Sequence, residues 1–270
     1  MEFAALGALY YQDKPEYFEE CLKSLSNQTK KIPIYIVIDG PIGHELETII
    51  TKYNNLEITY FKLNTNSGLA RALDHSVKRL RDKVDYIIRF DSDDINHSNR
   101  FEILINFIEQ KKPDLVSSHM NEINEDSKLF SKKLVPTSQK QIKRIFPYRN
   151  PINHPASAFN IKAILSVGGY KEMPFFEDYY LWARMHKSGF KIMNIDNFLV
   201  DFRSTDMMIK KRRYGLSYLK HEIYFIWKRN LEGIFNPLEN ILSFLIRFTS
   251  KIFGLKIYKL IYFSLRKKIN

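Results

Sequence analysis

Cysteine is nearly missing from this chain: Cys21 is the one example among 270 residues. An internal disulfide and a cysteine-built metal cage are therefore both excluded. Cys21 shares a helical spacing with Phe18, Leu22 and Leu25, which makes it a buried thiol and not a nucleophile. Long uncharged apolar runs are missing as well. None reaches about 18 residues, so no membrane-crossing helix is expected. The N-terminal stretch MEFAALGALYYQDK has no basic leader and passes directly into a strand pattern, so no secretory signal is expected. Internal repeats and low-complexity tracts are absent too.

What the chain does have is the composition of a folded protein, with 44% hydrophobic and 27% charged residues. Its length can bury a full core and fits one α/β domain with a C-terminal extension. The net charge of +12 is unevenly placed. Residues 203–270 hold 15 Lys/Arg and 4 Asp/Glu, whereas residues 1–202 hold 27 and 26. A near-neutral body thus carries a basic tail, and such tails meet nucleic acid or anionic lipid. The tail is also apolar: Ile241, Leu242, Phe244, Leu245, Ile246 and Phe248 precede a second greasy run over 252–265. Lys251, Lys256, Lys259, Arg266, Lys267 and Lys268 are interleaved with these residues. That is the pattern of a helix lying in a membrane interface, apolar face in lipid and lysines at the headgroups. A helix packed on the protein's own core is the alternative.

Along residues 1–120, strand-like and helix-like segments alternate. Strands are expected at 3–11, 32–38, 57–63, 84–90 and 114–119. Helices are expected at 15–26, 44–53, 69–80 and 98–110, the last capped by Ser98. Alternation of this kind implies a mostly parallel sheet with helices on both faces. Residues 121–150 are polar and basic, carry Pro136 and Pro147, and read as a long loop with short elements. A later helix opens at Glu177-Asp178, where its dipole favours negative charge, and stops at Gly189.

Asp91, Ser92, Asp93 and Asp94 come directly after the apolar run 84–90. Carboxylates at i and i+2 beyond a strand can turn toward one point, where a hard cation and its phosphate ligands can sit. Without a counter-ion, so much negative charge repels itself. In open α/β sheets ligands bind beyond the carboxyl ends of strands, and this cluster lies at such an end. Taken alone, the same residues also fit a solvated acidic turn that caps the next helix. Two further groups belong at this sheet edge: Asp39 ends the second strand, and Asn66-Ser67-Gly68 opens the third helix. Gly68 permits close approach, the amides of that helix start can face an anion, and Arg71 stands one turn in.

Six segments taken in order resemble an inverting family 2 glycosyltransferase of the GT-A fold. They are CLKSLSNQT after the first strand, Asp39-Gly40, Asn66-Ser67-Gly68-Leu69-Ala70-Arg71, Asp91-Ser92-Asp93-Asp94, Gly168-Gly169-Tyr170 and Glu177-Asp178. Each is weak alone, and six in order are specific. The run Arg149-Asn150-Pro151-Ile152-Asn153-His154-Pro155 is similar to the bacterial branch that builds O-antigen and capsule repeat units. One departure is the end of the first strand, Ala8-Leu9-Tyr10-Tyr11-Gln12, where many relatives have a Pro-Thr-Tyr type of ending. Side-chain contacts at that point are therefore not carried over.

The resemblance implies a Rossmann-like, mostly parallel α/β sheet flanked by helices. Its transferase domain would span 1–205, with a nucleotide-sugar half at 1–120 and an acceptor half at 121–205. Residues 206–270 would form a basic, amphipathic helical extension that associates with membrane. The implied reaction moves a hexose, glucose or galactose, from a UDP-sugar to a sugar on undecaprenyl diphosphate, forming a β-linkage. The implied place is the cytoplasmic face of the bacterial inner membrane, bound peripherally to an anionic surface, with no nucleic-acid partner. Asp91 and Asp93 would hold Mn²⁺ or Mg²⁺, which suit an all-oxygen site. Asp39, Asn66, Gly68, Arg71, Asp91 and Arg203 would face the nucleotide, and Asp178 would be the base that deprotonates the acceptor hydroxyl. On the acceptor side the candidates are Glu177, His154 and Trp182.

Two other classes stay open at this point. A sugar nucleotidyltransferase would also use a Rossmann-like sheet and metal-binding carboxylates. It would normally carry a glycine-rich phosphate loop near the N-terminus, and residues 3–13 offer only Gly7. A non-catalytic membrane- or nucleic-acid-binding protein would use the basic tail, although no nucleic-acid-binding module is legible.

Overall fold

Four apolar segments near the N-terminus form the part of the sheet that carries the site. They are β1 (Phe3–Leu9), β2 (Ile34–Ile38), β3 (Ile58–Lys62) and β4 (Tyr86–Arg89), parallel and in the order β3-β2-β1-β4. The computed structural model describes residues 1–53, 56–204, 216–252 and 267–268. Helices α1 (Pro15–Ser26), α2 (His44–Lys52), α3 (Leu69–Leu80) and α4 (Arg100–Lys111) cover the two faces of the sheet. α1 opens with Pro15 and has Glu16 in its first turn, which removes no needed N–H and suits the dipole. One face of the sheet buries Phe18, Cys21, Leu22, Leu46, Phe101 and Leu104. The other buries Leu73, Val77, Ile164, Tyr180, Trp182 and Phe225.

Beyond β4 the sheet is mixed. β8 (Ala158–Asn160) lies antiparallel between β4 and β6 (Leu115–Ile123). β7 (Leu129–Lys133) is antiparallel to β6, and β10 (Lys267–Lys268) is antiparallel to β7. The long β9 (Ile192–Arg203) runs parallel to β6 and pairs at its far end with β5 (Ile95–Asn96). The expected parallel arrangement therefore holds for the first four strands and gives way afterwards. β6 continues past residue 119 because β9 pairs with it as far as Ile123.

Local chemistry moved one other boundary. α4 opens at Arg100, and Gln28 Oε1 accepts the Phe101 N–H (3.0 Å) where a Ser98 cap was expected. The segment 121–150, read as a long loop with short elements, holds the end of β6, the short β7 and α5 (Gln139–Ile145), which Ser138 caps through the Gln141 N–H. A 3₁₀ turn (His154–Ala156), α6 (Ile161–Ser166) and α7 (Glu177–Lys187) complete the body.

Two further helices, α8 (Leu216–Leu231) and α9 (Pro237–Ile252), follow. Phe225 of α8 stacks on Phe176 with ring centroids 4.9 Å apart, and Arg229 donates to the Pro147 carbonyl (2.8 Å). Arg247 of α9 pairs with Glu222 (2.7 Å) and donates to the Tyr148 carbonyl. One side of the pair is thus packed on the body, while Trp227, Leu231, Leu238 and Ile241 on other sides are exposed. None of the described helices is long and apolar enough to cross a membrane. The expectations for 206–215 and for the basic, apolar stretch 253–266 lie outside the described residues.

Candidate active site

At the carboxyl end of β4 the chain turns sharply, and the Asp94 N–H points back to the Asp91 carbonyl (3.4 Å). The turn gathers Asp91, Asp93 and Asp94 so that one carboxylate oxygen from each lies within 4.8 Å of the others. Asp91 is held from below by Arg89, whose guanidinium is almost wholly out of water and also donates to the Leu6 carbonyl (3.3 Å). Arg100 lies deeper, donating to the carbonyls of Arg89 and Pro155. Burial pulls Arg100 down to about 9, so it remains cationic at neutral pH. Asp94 is buried; one oxygen accepts the Arg203 N–H (2.9 Å) and Oδ2 has no partner. Burial, then the charges of Asp93 and Asp91, push the Asp94 carboxyl well up. A buried, unpartnered carboxylate oxygen beside two more carboxylates, with oxygen donors throughout, is a set that fits a hard divalent cation.

A fourth carboxylate, Asp13, borders this turn. It accepts the Tyr10 N–H (3.0 Å) and the Ser92 hydroxyl (2.9 Å), and burial raises it to about 7.

Asp39, at the end of β2, is buried and accepts the Ser67 N–H (2.7 Å), the Ser67 hydroxyl (2.9 Å) and the Gly68 N–H (2.8 Å). Asn66 donates back to the Asp39 carbonyl (3.2 Å). Gly40 has φ +85°, and a Cβ there would come within 2.5 Å of the Asn66 nitrogen. The two loops are thus laced together, and the anion that meets the α3 start is the protein's own Asp39. Arg71, one turn in, pairs with Glu172 (2.8 Å) at the surface.

Glu177 and Asp178 form the first turn of α7 and are half-buried. Asp178 Oδ2 accepts the Asn150 side-chain N–H (2.9 Å). Tyr170 is buried, its hydroxyl 2.9 Å from His154 Nε2. Burial pushes Tyr170 up, and among its charged neighbours are Arg89, Asp178, Asp91 and Glu177. The charges of the Asp91 turn and of the α7 start are thus both felt at Tyr170.

Comparison with known families places the chain. A model described as glycosyl transferase family 2 matches residues 9–168, more than half of the chain. The chain belongs to that family. It is 32% identical to the amylovoran biosynthesis glycosyltransferase AmsE of Erwinia amylovora, over 98% of this chain and 99% of that one. To a UDP-Gal:α-D-GlcNAc-diphosphoundecaprenol β-1,3-galactosyltransferase of Escherichia coli it is 36% identical, over 83% of each. Among solved structures, the mannosyltransferase PcManGT of Pyrobaculum calidifontis, in complex with GDP-Man and Mn²⁺, superposes with a TM-score of 0.64. That match covers 90% of this chain and 69% of the other at 12% identity, which makes the shared GT-A fold plain.

The transferase departs from the sequence-based expectations at three side chains. Trp182 is fully buried among His154, Phe159 and Tyr170, so it offers no platform to an acceptor sugar. His154 is buried, pulled down to about 3 by burial and then by Arg89. It is neutral and cannot meet a phosphate as a cation. Arg203 is 2% exposed, and its guanidinium serves the carbonyls of Asp93, Asn124 and Glu125, the Ser127 hydroxyl and Glu20. It also stacks 3.9 Å over Tyr17. Arg203 is a clamp on the aspartate turn, and its donors are too committed for a diphosphate. Asp13, Arg89 and Asn150 were not among the expected site residues, although Asn150 stood in the Arg149–Pro155 motif. Arg89 carried a signal, a lone cation in an otherwise apolar strand.

Proposed function

We propose that this family 2 transferase is an inverting, metal-dependent hexosyltransferase. It moves glucose or galactose from UDP to a sugar on a lipid diphosphate, the lipid being undecaprenol, in the synthesis of a surface polysaccharide such as O-antigen or capsule. The observation that carries the reading is the three-carboxylate turn at the end of β4, together with the acidic pair Glu177-Asp178 in the first turn of α7. The relative from E. coli, named for UDP-Gal and a diphosphoundecaprenol acceptor, supports the donor and acceptor classes.

Asp91 and Asp93 would hold Mn²⁺ or Mg²⁺, with Asp94 completing the oxygen set from beneath. When bound, such a cation supplies Lewis-acid stabilisation of the leaving diphosphate. Arg89 fixes the Asp91 carboxylate, and Arg203 fixes the turn through the Asp93 carbonyl and Asp94, so the donor meets a preorganised edge. Asp39 with Asn66 and Gly68 forms the rim beside the nucleoside. Arg71, whose pair with Glu172 is exposed and so weakly held, exchanges that partner for the nucleotide. Asp178 takes the proton of the acceptor hydroxyl as its oxygen attacks the anomeric carbon. The bond from that carbon to the UDP oxygen breaks on the opposite side, its electrons leaving with UDP. An α-linked donor thus gives a β-linked product. Glu177 shapes the acceptor side of the same helix start.

The extension adds a membrane-facing surface. Ile223, Tyr224, Trp227 and Leu231 are exposed on α8 at helical spacing, and Leu238, Ile241 and Leu242 on α9. Trp and Tyr favour the water–lipid boundary, and the basic surplus of 203–270 favours anionic headgroups. The protein would then sit peripherally at the cytoplasmic face of the inner membrane, where its acceptor lies. Titration calorimetry with UDP tests the donor site. Binding that requires Mn²⁺ or Mg²⁺ and is lost in Asp93→Asn is expected; metal-independent binding, or none, contradicts the reading.

A further inference from the structure

A base at a helix start can adopt several side-chain orientations, and something must select one. Asn150 does this for Asp178, its Nδ2 donating to Asp178 Oδ2 over 2.9 Å. The direction of the amide is settled locally, because Asn150 Oδ1 accepts the Ile152 N–H (3.1 Å). The oxygen is thereby turned to the chain and the NH₂ to the carboxylate.

The segment behind Asn150 is bolted to the sheet. Asn194 of β9 donates to the Pro151 carbonyl (3.0 Å). The Asn153 N–H donates to the Ser117 hydroxyl (3.0 Å), and its side chain to the Ser118 carbonyl (2.9 Å), both on β6. Pro151, Ile152 and Asn153 are all buried. A rigid strut therefore runs from β6 and β9 to the carboxylate on α7. Its tip is a neutral donor, which fixes position without the strong loss of basicity that a charged partner would bring.

We propose that Asn150 is a positioning residue for the transfer step, holding the Asp178 carboxylate toward the acceptor hydroxyl. This rests on the reading of Asp178 as the base. Asn150→Asp separates the inference from a purely structural role. It keeps an oxygen for the Ile152 N–H and replaces the donor with a group that repels Asp178.

The experiment compares Asn150→Asp, Asp178→Asn and the double variant, measuring kcat, KM for the UDP-sugar and thermal midpoint. In Asn150→Asp, kcat is expected to fall at least about tenfold, since a misplaced catalytic group costs up to about a hundredfold. KM for the donor and the thermal midpoint stay near those of the unmodified protein. The double variant is expected to be no slower than Asp178→Asn, the non-additivity of residues acting as one unit. A kcat within about twofold in Asn150→Asp overturns the inference, as does a loss that falls on donor KM instead. If Asp178→Asn itself keeps its rate, the base reading fails along with it, and that outcome is distinct from an active Asn150→Asp beside an inactive Asp178→Asn.

Discussion

Arg89 and Arg100 are both almost wholly out of water, and the carboxylates of the Asp91–Asp94 turn stand above them. Buried guanidiniums are costly unless paired, so these arginines and the acidic turn stabilise each other. Asp91 and Asp93 should consequently differ. Asp91→Asn leaves Arg89 short of its charged partner and should destabilise the fold by about 1–3 kcal/mol as well as stop transfer. Asp93→Asn should stop transfer with a much smaller change in thermal midpoint. Equal thermal midpoints for the two variants would contradict the assignment. His154 gives a pH signature. Burial holds it down to about 3, against 6.5 in an open environment, so in that interval the folded state binds fewer protons than the unfolded one. Its stabilising contribution is complete above about 6.5 and is lost as pH falls toward 3. His154→Gln should therefore show a shallower decline of thermal midpoint between about pH 6.5 and pH 4. An unchanged slope would mean that His154 is protonated in the fold.

Elements whose determinants are local were legible in the sequence, and those held by distant partners were not. α3 runs from Leu69 to Leu80 as its apolar spacing requires, and α1 begins at Pro15. β8 and β9 return late in the chain to pair with β4 and β6, and nothing in residues 158–203 alone names those partners. The same logic separates the site residues. Asp91, Asp93 and Asp178 sit at element ends, as their positions in the sequence led one to expect. Trp182 faces inward because α7 is buried on nearly all sides, and Arg203 is spent on carbonyls of β6–β7 and β4 loops that only the sheet brings near. The extension was read as membrane helix or core helix, and its described part has one side packed on the body and one side of exposed apolar residues. Phe225 is the body side, and truncation to Ala should cost about 3–5 kcal/mol. Trp227→Glu with Leu231→Glu changes the exposed side, 54% and 64% accessible. That pair should abolish co-sedimentation with phosphatidylglycerol vesicles and leave the thermal midpoint in place. Retained co-sedimentation would argue that α8 is not the lipid-facing element.

Across the whole molecule, charge and catalysis are divided. Residues 1–202 are nearly balanced and hold the carboxylate turn and Asp178, while 203–270 carry almost the entire positive surplus. On the proposed reading, a near-neutral body would admit an anionic donor with its cation, and a basic tail would keep the body near an anionic surface where a lipid-linked acceptor is concentrated. Vesicle association should accordingly weaken with salt, because exposed charges are screened beyond about 8–10 Å at physiological ionic strength. The most direct measurement is single-turnover transfer from UDP-glucose and UDP-galactose to a synthetic GlcNAc- or GalNAc-diphosphate lipid. It is run with Mn²⁺ and with chelator, for the unmodified protein and Asp178→Asn. The account predicts metal-dependent formation of a β-linked disaccharide from one donor, slowed by about 10²–10⁴-fold in Asp178→Asn with UDP binding retained. Transfer that persists in chelator, or that Asp178→Asn performs at the unmodified rate, would contradict it.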